Sequence, residues 1–126
     1  MKMISGNTSK GGHYSPAVIS RGMLYISGQL PIDHRTGKLA SGGIVEQTRT
    51  ALHNMEEILK AAGAAKTDVV MCHVYVPDVS LWDEVNRVYA AFFGDHKPAR
   101  VVVPTTGLHH GALVEIEAIA EMQEEK

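Results

Sequence analysis

The segment that most restricts the fold is LVEIEAIA, residues 113–120. In a β-strand, side chains two residues apart share a face, so this stretch predicts a strand with two different faces. One face is wholly apolar and consists of Val114, Ile116, Ala118 and Ala120. The other carries Glu115 and Glu117 between Leu113 and Ile119. Because this second face is half apolar and half acidic, we expect something to cover it and one carboxylate to have a function there.

Two further regions predict strands by their composition. Residues 17–28 contain two β-rich pieces on either side of Arg21-Gly22, a dipeptide that favours a tight hairpin turn. Residues 69–76, VVMCHVYV, are too short and too rich in β-branched residues for a helix, and they predict a strand buried on both faces. The run RVVVP at 100–104 predicts one more strand, which ends at its proline.

Two segments predict helices by their spacing. Within residues 44–62, the residues of one packing stripe recur at intervals of three and four. Gly63 follows at a position where a left-handed cap is common. The packing stripe of this helix is Thr48, Leu52, Met55, Leu59 and Ala62. A second helix is expected to be capped by Ser80 and to end at Gly94. Its predicted stripe is Leu81, Val85, Val88 and Phe92.

The order of these elements is β-β-α-β-α-β-β, which predicts a single α+β domain over residues 1–126. Residues 1–13 are expected to form a loosely packed lead-in. Two helices can cover only one face of a mixed sheet of about five strands. The opposite face would be exposed in a single chain, so we expect oligomerisation through that face.

Composition narrows the classes of function. The chain has 126 residues, a formal charge of -2 and 21% charged residues, so it offers no basic field for nucleic acid and we expect none as a partner. Cys72 is the only cysteine, which excludes an internal disulfide and favours a buried thiol in a reducing compartment. No apolar stretch reaches the roughly 18 residues of a membrane span, and the first residues lack the apolar core of a signal peptide. These features predict a cytoplasmic protein without a membrane partner.

Several residues are candidates for chemistry, each with a structural alternative. Arg100 begins an otherwise uncharged strand, where its guanidinium can grip a ligand carboxylate with two hydrogen bonds or form a salt bridge with Glu115 or Glu117. Gly28, in Ser-Gly-Gln at the end of a strand, allows close approach of a ligand or marks a bulge. His109 and His110 are adjacent and match no metal-binding pattern, so no metal site is expected.

Taken together, these segments resemble the RidA (YjgF / L-PSP) family. The resemblance covers residues 14 to about 122, and the strings SGQ, PAR and EIEAIA in that order are its most specific part. The matching segments are YSPAV at 14–18, YISGQLPID at 25–33, EQTRTALHNMEEILKAAGA at 46–64, VYVPD at 74–78, VNRVYAAFF at 85–93, PAR at 98–100 and VEIEAIA at 114–120.

The resemblance implies a chorismate-mutase-like α+β fold in which three subunits pack their sheets into a barrel, with the helices outside and clefts between neighbours. It also implies hydrolysis of reactive enamines and imines, such as 2-aminoacrylate and 2-aminocrotonate, to 2-oxo acids and ammonia. This activity would remove damaging metabolites and would need no metal or organic cofactor. The homotrimer and a small 2-imino or 2-oxo acid are therefore the expected partners.

The resemblance also implies roles for individual residues. Arg100 matches the arginine that binds the substrate carboxylate, and Glu115 matches the acid beside the attacking water. Glu117 is assigned to structure. The other expected substrate-binding residues are Tyr14, Ser27, Gly28, Gln29, Asn86 and Val102, the last through its backbone carbonyl.

Two departures from the family pattern leave the preferred imine open. Val102 stands where many deaminating members have cysteine, which removes any role for a thiol there. The loop TTGLHHGAL, residues 105–113, differs from the commoner form, and its His109 and His110 are candidates for the rim of the cleft. Two other functions remain as alternatives: a non-catalytic trimer that binds small carboxylates or proteins, and a ribonuclease, which the acidic charge disfavours.

Overall fold

The computed structural model describes residues 1–5 and 12–123, which form a six-stranded mixed sheet, a separate two-stranded hairpin and two α-helices. The helices are α1 (Ile44–Ala62) and α2 (Trp82–Phe93). The strands are β1 (Lys2–Ile4), β2 (Ala17–Ser20), β3 (Met23–Gln29), β4 (Ile32–Asp33), β5 (Lys38–Leu39), β6 (Val69–Val76), β7 (Ala99–Pro104) and β8 (Glu115–Glu121). The order across the large sheet is β1-β2-β3-β8-β6-β7, with only β6 and β7 parallel. The α+β class and the placement of both helices against one face are confirmed.

The predicted hairpin is confirmed. Strands β2 and β3 pair in antiparallel register, with Ser20 opposite Met23 across the turn. Arg21 and Gly22 both have positive φ, 52° and 76°. Two left-handed residues give a turn whose twist matches that of the flanking strands, which is why a two-residue connection suffices here.

Helix α1 packs as its spacing predicts. Thr48, Leu52, Met55 and Leu59 are almost fully buried against the sheet. Gly63 has φ 85° and ψ 21°, and its backbone N–H donates to the carbonyl of Lys60 at 3.0 Å. The predicted left-handed cap is therefore confirmed.

The start of α2 differs from the prediction. The side chain of Asp78 caps a short 3₁₀ turn, Val79–Leu81, since the backbone N–H of Ser80 donates to Asp78 Oδ1 at 2.8 Å. This turn leads into the helix at Trp82, and no side chain caps the helix itself. Ser80 lies inside the 3₁₀ turn, two residues before the helix begins, so the proposed Ser80 cap was wrong. The buried residues of α2 are Val85, Val88, Tyr89 and Phe93, whereas the predicted stripe members Leu81 and Phe92 are only partly buried.

Strand β6 is buried on one face only, which corrects the expectation of burial on both. Cys72 and Val74 are fully buried beneath the helices. His73 and Tyr75 are half-buried on the opposite face. The reason is that no element within residues 1–5 and 12–123 packs against that side of the sheet.

The expected loose lead-in is corrected in part. Lys2–Ile4 pairs with β2 as an edge strand, and Ile4 is buried. Residues 6–11 lie outside the described part of the chain, so the expectation for them stays untested. No helix within residues 1–5 and 12–123 has the length and apolarity that a membrane crossing requires.

The two faces of the final strand segregate as predicted. Val114, Ile116, Ala118 and Ala120 are at most 2% exposed, and the alternate residues are half-buried. Strand β8 lies in the middle of the sheet between β3 and β6. Its acidic side chains therefore stand on the open face of the sheet, the face without helices.

Candidate active site

Glu115 and Gly28 are in direct contact on the open face of the sheet. A Cβ atom added to Gly28 would lie 2.6 Å from Glu115 Oε2, which is closer than any real side chain would be. The register between β3 and β8 shifts between Ile26 and Gln29, so Gly28 occupies the irregularity. The absence of a side chain at Gly28 leaves the space that the Glu115 carboxylate occupies, and a side chain there would displace that carboxylate.

The surroundings of Glu115 favour its protonated form. Partial burial raises the pKa of its carboxyl above the ordinary value, and the nearby Glu117 carboxylate acts in the same direction. His109 opposes this shift, since a positive imidazolium stabilises the ionised carboxylate. A carboxyl with a raised pKa suits general acid–base chemistry, because it both accepts and returns a proton closer to neutral pH.

The segment that precedes β2 is hydrogen-bonded to β3 next to Gly28. Ser27 Oγ donates to the carbonyl of Ser15 at 2.7 Å, and the backbone N–H of Ser27 donates to the carbonyl of Pro16 at 2.9 Å. These bonds hold the segment that follows Tyr14 against the strand that leads to Gly28. The Tyr14 side chain is 45% exposed, so it is accessible beside this cluster.

Gln29 is turned into its own chain. Its Nε2 donates to the carbonyl of Ser27 at 2.9 Å, and the residue is only 7% exposed. This bond spans the irregular part of β3 that contains Gly28. Gln29 therefore supports the shape of the strand at Gly28.

Arg100 is held by helix α2. Its Nη1 donates to Asn86 Oδ1 at 2.9 Å, so the amide oxygen of Asn86 is already occupied. The guanidinium carbon lies 4.7 Å from the ring centroid of Tyr89 and 5.4 Å from that of Trp82. Within the described residues no carboxylate pairs with Arg100, so the salt bridge to Glu115 or Glu117 that the sequence left open is absent. The remaining N–H donors of the guanidinium have no protein acceptor in this part of the chain.

Arg100 and Glu115 belong to different faces of the sheet. Arg100 is opposite Cys72 in the β6–β7 register, and paired residues share a face, so it stands on the helix side. Val102, opposite Val74, shares that side. Glu115 is opposite Tyr75 on the open face. The predicted residues of the sheet and of α2 therefore fall into two groups that one chain does not bring together. Ser27, Gly28 and Glu115 lie on the open side, and Arg100, Asn86 and Val102 lie on the helix side.

Glu117 is engaged within its own chain. Tyr75 Oη donates to Glu117 Oε1 at 2.5 Å, and His73 Nδ1 lies 3.6 Å from the same oxygen. This hydrogen bond to Glu117 is the main reason why the pKa of Tyr75 is raised. A carboxylate with two partners in its own sheet is suited to a structural role, in contrast to Glu115.

The sequence reasoning missed the aromatic residues around Arg100. Trp82, Asn86 and Tyr89 are spaced by four and three, which places them on one face of α2. That spacing was a usable signal, but the predicted stripe of α2 consisted of other residues, Leu81, Val85, Val88 and Phe92. Two surface cavities of about 480 Å³ along α1 contain none of the predicted residues. Across residues 1–5 and 12–123, no three His, Cys, Asp or Glu side chains are grouped so as to hold a metal ion.

Comparisons with known proteins agree with this arrangement of elements. The family model described as Endoribonuclease L-PSP matches residues 7–122. A RutC family protein of Pyrococcus horikoshii is 46% identical over 109 residues, which are 86% of this chain and 86% of that protein. The 2-iminobutanoate/2-iminopropanoate deaminase of Homo sapiens is 43% identical over 109 residues, which are 86% of this chain and 80% of the relative.

A solved structure has a similar fold over nearly the whole chain. The putative endoribonuclease of Thermotoga maritima superimposes with a TM-score of 0.92 at 38% identity, over 98% of this chain and 99% of the other. The match extends over both helices and the whole sheet. On these grounds the chain belongs to the RidA (YjgF / L-PSP) family.

Proposed function

We propose that this protein hydrolyses 2-imino acids, and their enamine tautomers, to 2-oxo acids and ammonia. The observation that carries the proposal is that the chain presents two groups suited to an imino acid. Arg100 has no carboxylate partner among the described residues, and the carboxyl of Glu115 has a raised pKa. An α-imino acid presents the two complementary groups, a carboxylate for the guanidinium and an electrophilic C=N carbon beside the acid. Relatives named as 2-iminobutanoate/2-iminopropanoate deaminases support this substrate class.

The chemistry needs only positioning and proton transfer. Protonation of the enamine on carbon, or of the imine on nitrogen, gives the same iminium. Water adds to its C=N carbon and gives up a proton to the Glu115 carboxylate, forming a C–O bond and a neutral carbinolamine. Glu115 passes that proton to the carbinolamine nitrogen, the C–N bond breaks and ammonia leaves. The C=O bond forms as the hydroxyl proton passes to Glu115 and then to solvent. Because the imine is already electrophilic, holding it beside an oriented water accounts for much of the rate enhancement.

The proposed site requires two subunits. Arg100 stands on the helix side of its sheet and Glu115 on the open side. A neighbouring copy that covers the open face would bring its own Arg100 to the Glu115 of the first copy. We propose that the protein is a homotrimer with three such clefts, in which Tyr14, Ser27 and Gly28 line the Glu115 wall and Val102 lies on the Arg100 wall.

An imine-trapping assay tests the function directly. An L-amino acid oxidase forms imines in place, and semicarbazide traps those that escape hydrolysis. We expect the wild-type protein to suppress semicarbazone formation from the imines of alanine and 2-aminobutyrate, and Arg100→Ala to lose that suppression. Arg87→Ala is the matched control, since Arg87 is an exposed arginine of the same helix, α2, and is not one of the proposed site residues.

The same assay separates the alternatives. Unchanged trapping by wild-type protein that still binds 2-oxobutyrate would replace the enzyme with a non-catalytic carboxylate-binding trimer. The family model is described as an endoribonuclease, so cleavage of single-stranded RNA is measured in parallel. RNA cleavage that persists in a highly purified sample and disappears in Glu115→Gln, with no effect on trapping, would contradict the deaminase proposal.

A further inference from the structure

The guanidinium of Arg100 lies over two aromatic rings of helix α2. Tyr89 is the nearer, at 4.7 Å from the guanidinium carbon to the ring centroid, and Trp82 lies at 5.4 Å. Both distances are within the range in which the negative face of an aromatic ring attracts a cation. Asn86, one turn from each ring, accepts the hydrogen bond from Nη1. The three side chains come from one face of one helix, so their positions relative to each other are fixed by its backbone.

We infer that Tyr89 and Trp82 form an aromatic clamp that positions Arg100 for a ligand carboxylate, with Tyr89 as the principal positioning residue. The inference rests on the proposed function, because it concerns how Arg100 is made ready to bind. Arginine has a long side chain whose rotamers must be ordered before it can form two parallel hydrogen bonds. Ordering it in advance removes that entropy loss from the binding step.

Burial distinguishes the roles of the two rings. Tyr89 is only 7% exposed, and its contact with Phe93 (ring centroids 4.8 Å apart) fixes it from behind. Trp82 is 39% exposed, so it forms the outer side of the clamp and remains open to solvent or to a neighbouring subunit. A buried ring that cannot move gives a defined platform, whereas the exposed ring is a second, outer contact of the guanidinium.

The hydroxyl of Tyr89 supports the view that the position is determined by its ring. It is buried, and the group that faces it is the Cys72 thiol. Burial raises the pKa of both groups. A thiol is only a weak hydrogen-bond partner, so the larger contribution of Tyr89 at this position is the aromatic face beneath Arg100.

Intrinsic fluorescence provides a direct test, because Trp82 is the only tryptophan in the chain. Titration with 2-oxobutyrate, a non-reacting carboxylate, should change the Trp82 emission saturably in wild-type protein. Arg100→Ala should abolish the change, and Glu115→Gln should keep it while turnover is lost. Binding and catalysis are thereby measured separately.

The variants at Tyr89 then test the clamp. Tyr89→Leu should raise the Kd for 2-oxobutyrate by about three- to tenfold, the range expected for a lost cation–π contact, and should raise KM more than it lowers kcat. Tyr89→Phe keeps the ring and should restore the affinity to about that of wild type. Phe92→Leu is the matched control, since Phe92 lies on the same helix but contacts Lys66 and Phe93 instead of Arg100.

A spectroscopic measurement keeps the inference testable if Tyr89→Leu fails to fold. Stacking on the rings of the clamp should move the Nε–H resonance of Arg100 upfield of that of exposed Arg87 in the wild-type ¹⁵N spectrum. Equal positions of the two resonances, or an unchanged Kd in folded Tyr89→Leu, would overturn the clamp while leaving the deaminase proposal intact. If wild-type protein neither binds 2-oxobutyrate nor suppresses trapping, the clamp and the deaminase proposal are both contradicted.

Discussion

Arg100 and Glu115, the two residues expected to act on one substrate, stand on opposite faces of the same sheet. Arg100 is paired with Cys72 on the face covered by the helices, and Glu115 is paired with Tyr75 on the open face. Side chains on opposite faces of a sheet point away from each other, so no rotamer change within one chain unites them. The proposed chemistry therefore requires at least two copies of the chain.

This separation predicts complementation between inactive variants. Arg100→Ala and Glu115→Gln should each be inactive alone, yet trimers assembled from a 1:1 mixture should regain about a quarter of wild-type turnover. The fraction follows because a cleft needs the intact arginine from one chain and the intact glutamate from its neighbour in a head-to-tail ring. Co-expression with two affinity tags, followed by the trapping assay, measures it. Mixed trimers without activity would indicate a site built from a single chain.

Adding one methyl group at Gly28 should disturb the active carboxylate. The new Cβ would lie 2.6 Å from Glu115 Oε2, so the carboxylate must move. Displacement by about 1 Å is enough to lower turnover by roughly 100-fold. Gly107→Ala is the matched control, because an added Cβ there meets nothing within 4 Å and its φ is not positive. Comparable losses in the two variants would show that the contact with Gly28 has no special role.

The two glutamates of β8 should differ in their sensitivity. Glu115→Gln should lower kcat by about 10²- to 10⁴-fold, the usual contribution of a general acid–base. Glu117→Gln should be milder for turnover, since Glu117 is engaged by Tyr75 and His73 in its own sheet. The loss of these contacts in Glu117→Gln should instead lower the melting temperature. Equal losses of kcat would reverse the two assignments.

Removing His109 should shift the pH dependence of the reaction. Its positive charge lowers the pKa of Glu115, while burial and Glu117 raise it. Without His109 that pKa rises further, so the acid limb of the kcat/KM profile should move to higher pH in His109→Asn. His110→Asn is the control, because asparagine tolerates the positive φ of 60° at that residue and His110 exerts no resolved effect on Glu115. A profile of His109→Asn that overlays the wild type would exclude this coupling.

The raised pKa of Glu115 also has a consequence for stability. The folded state holds the proton more tightly than the unfolded state, so stability is lost as the pH rises from the ordinary glutamate value through the raised one. Glu115→Gln lacks this loss and should unfold at a higher temperature than wild type at pH 7. At a pH below the ordinary glutamate value, the two proteins should have similar melting temperatures. A lower melting temperature of the variant at pH 7 would mean that the carboxylate is stabilised by groups from a neighbouring chain.

Much of the local structure was predictable from neighbouring residues alone. The alternation of residues 113–120, the turn at Arg21-Gly22 and the stripe and cap of α1 all followed from short-range rules. These rules depend on steric preferences and side-chain periods that act within a few residues. The start of α2 was missed, because a 3₁₀ turn capped by Asp78 precedes the helix and contains Ser80.

The composition of the candidate site was only partly predictable. The resemblance implied that Arg100 and Glu115 belong to the site. In the described part of the chain no carboxylate is paired with Arg100 and no cation is paired with Glu115. Their faces followed only from the register of β6 with β7 and β8. The contact of Tyr89 and Trp82 with Arg100 likewise joins a helix to a strand. Sequence alone determined both helices and the long strands, because these follow from local periods and steric preferences. Tertiary structure decided the short edge strand β1 and which side chains meet, because pairing between distant strands sets the face on which each side chain stands.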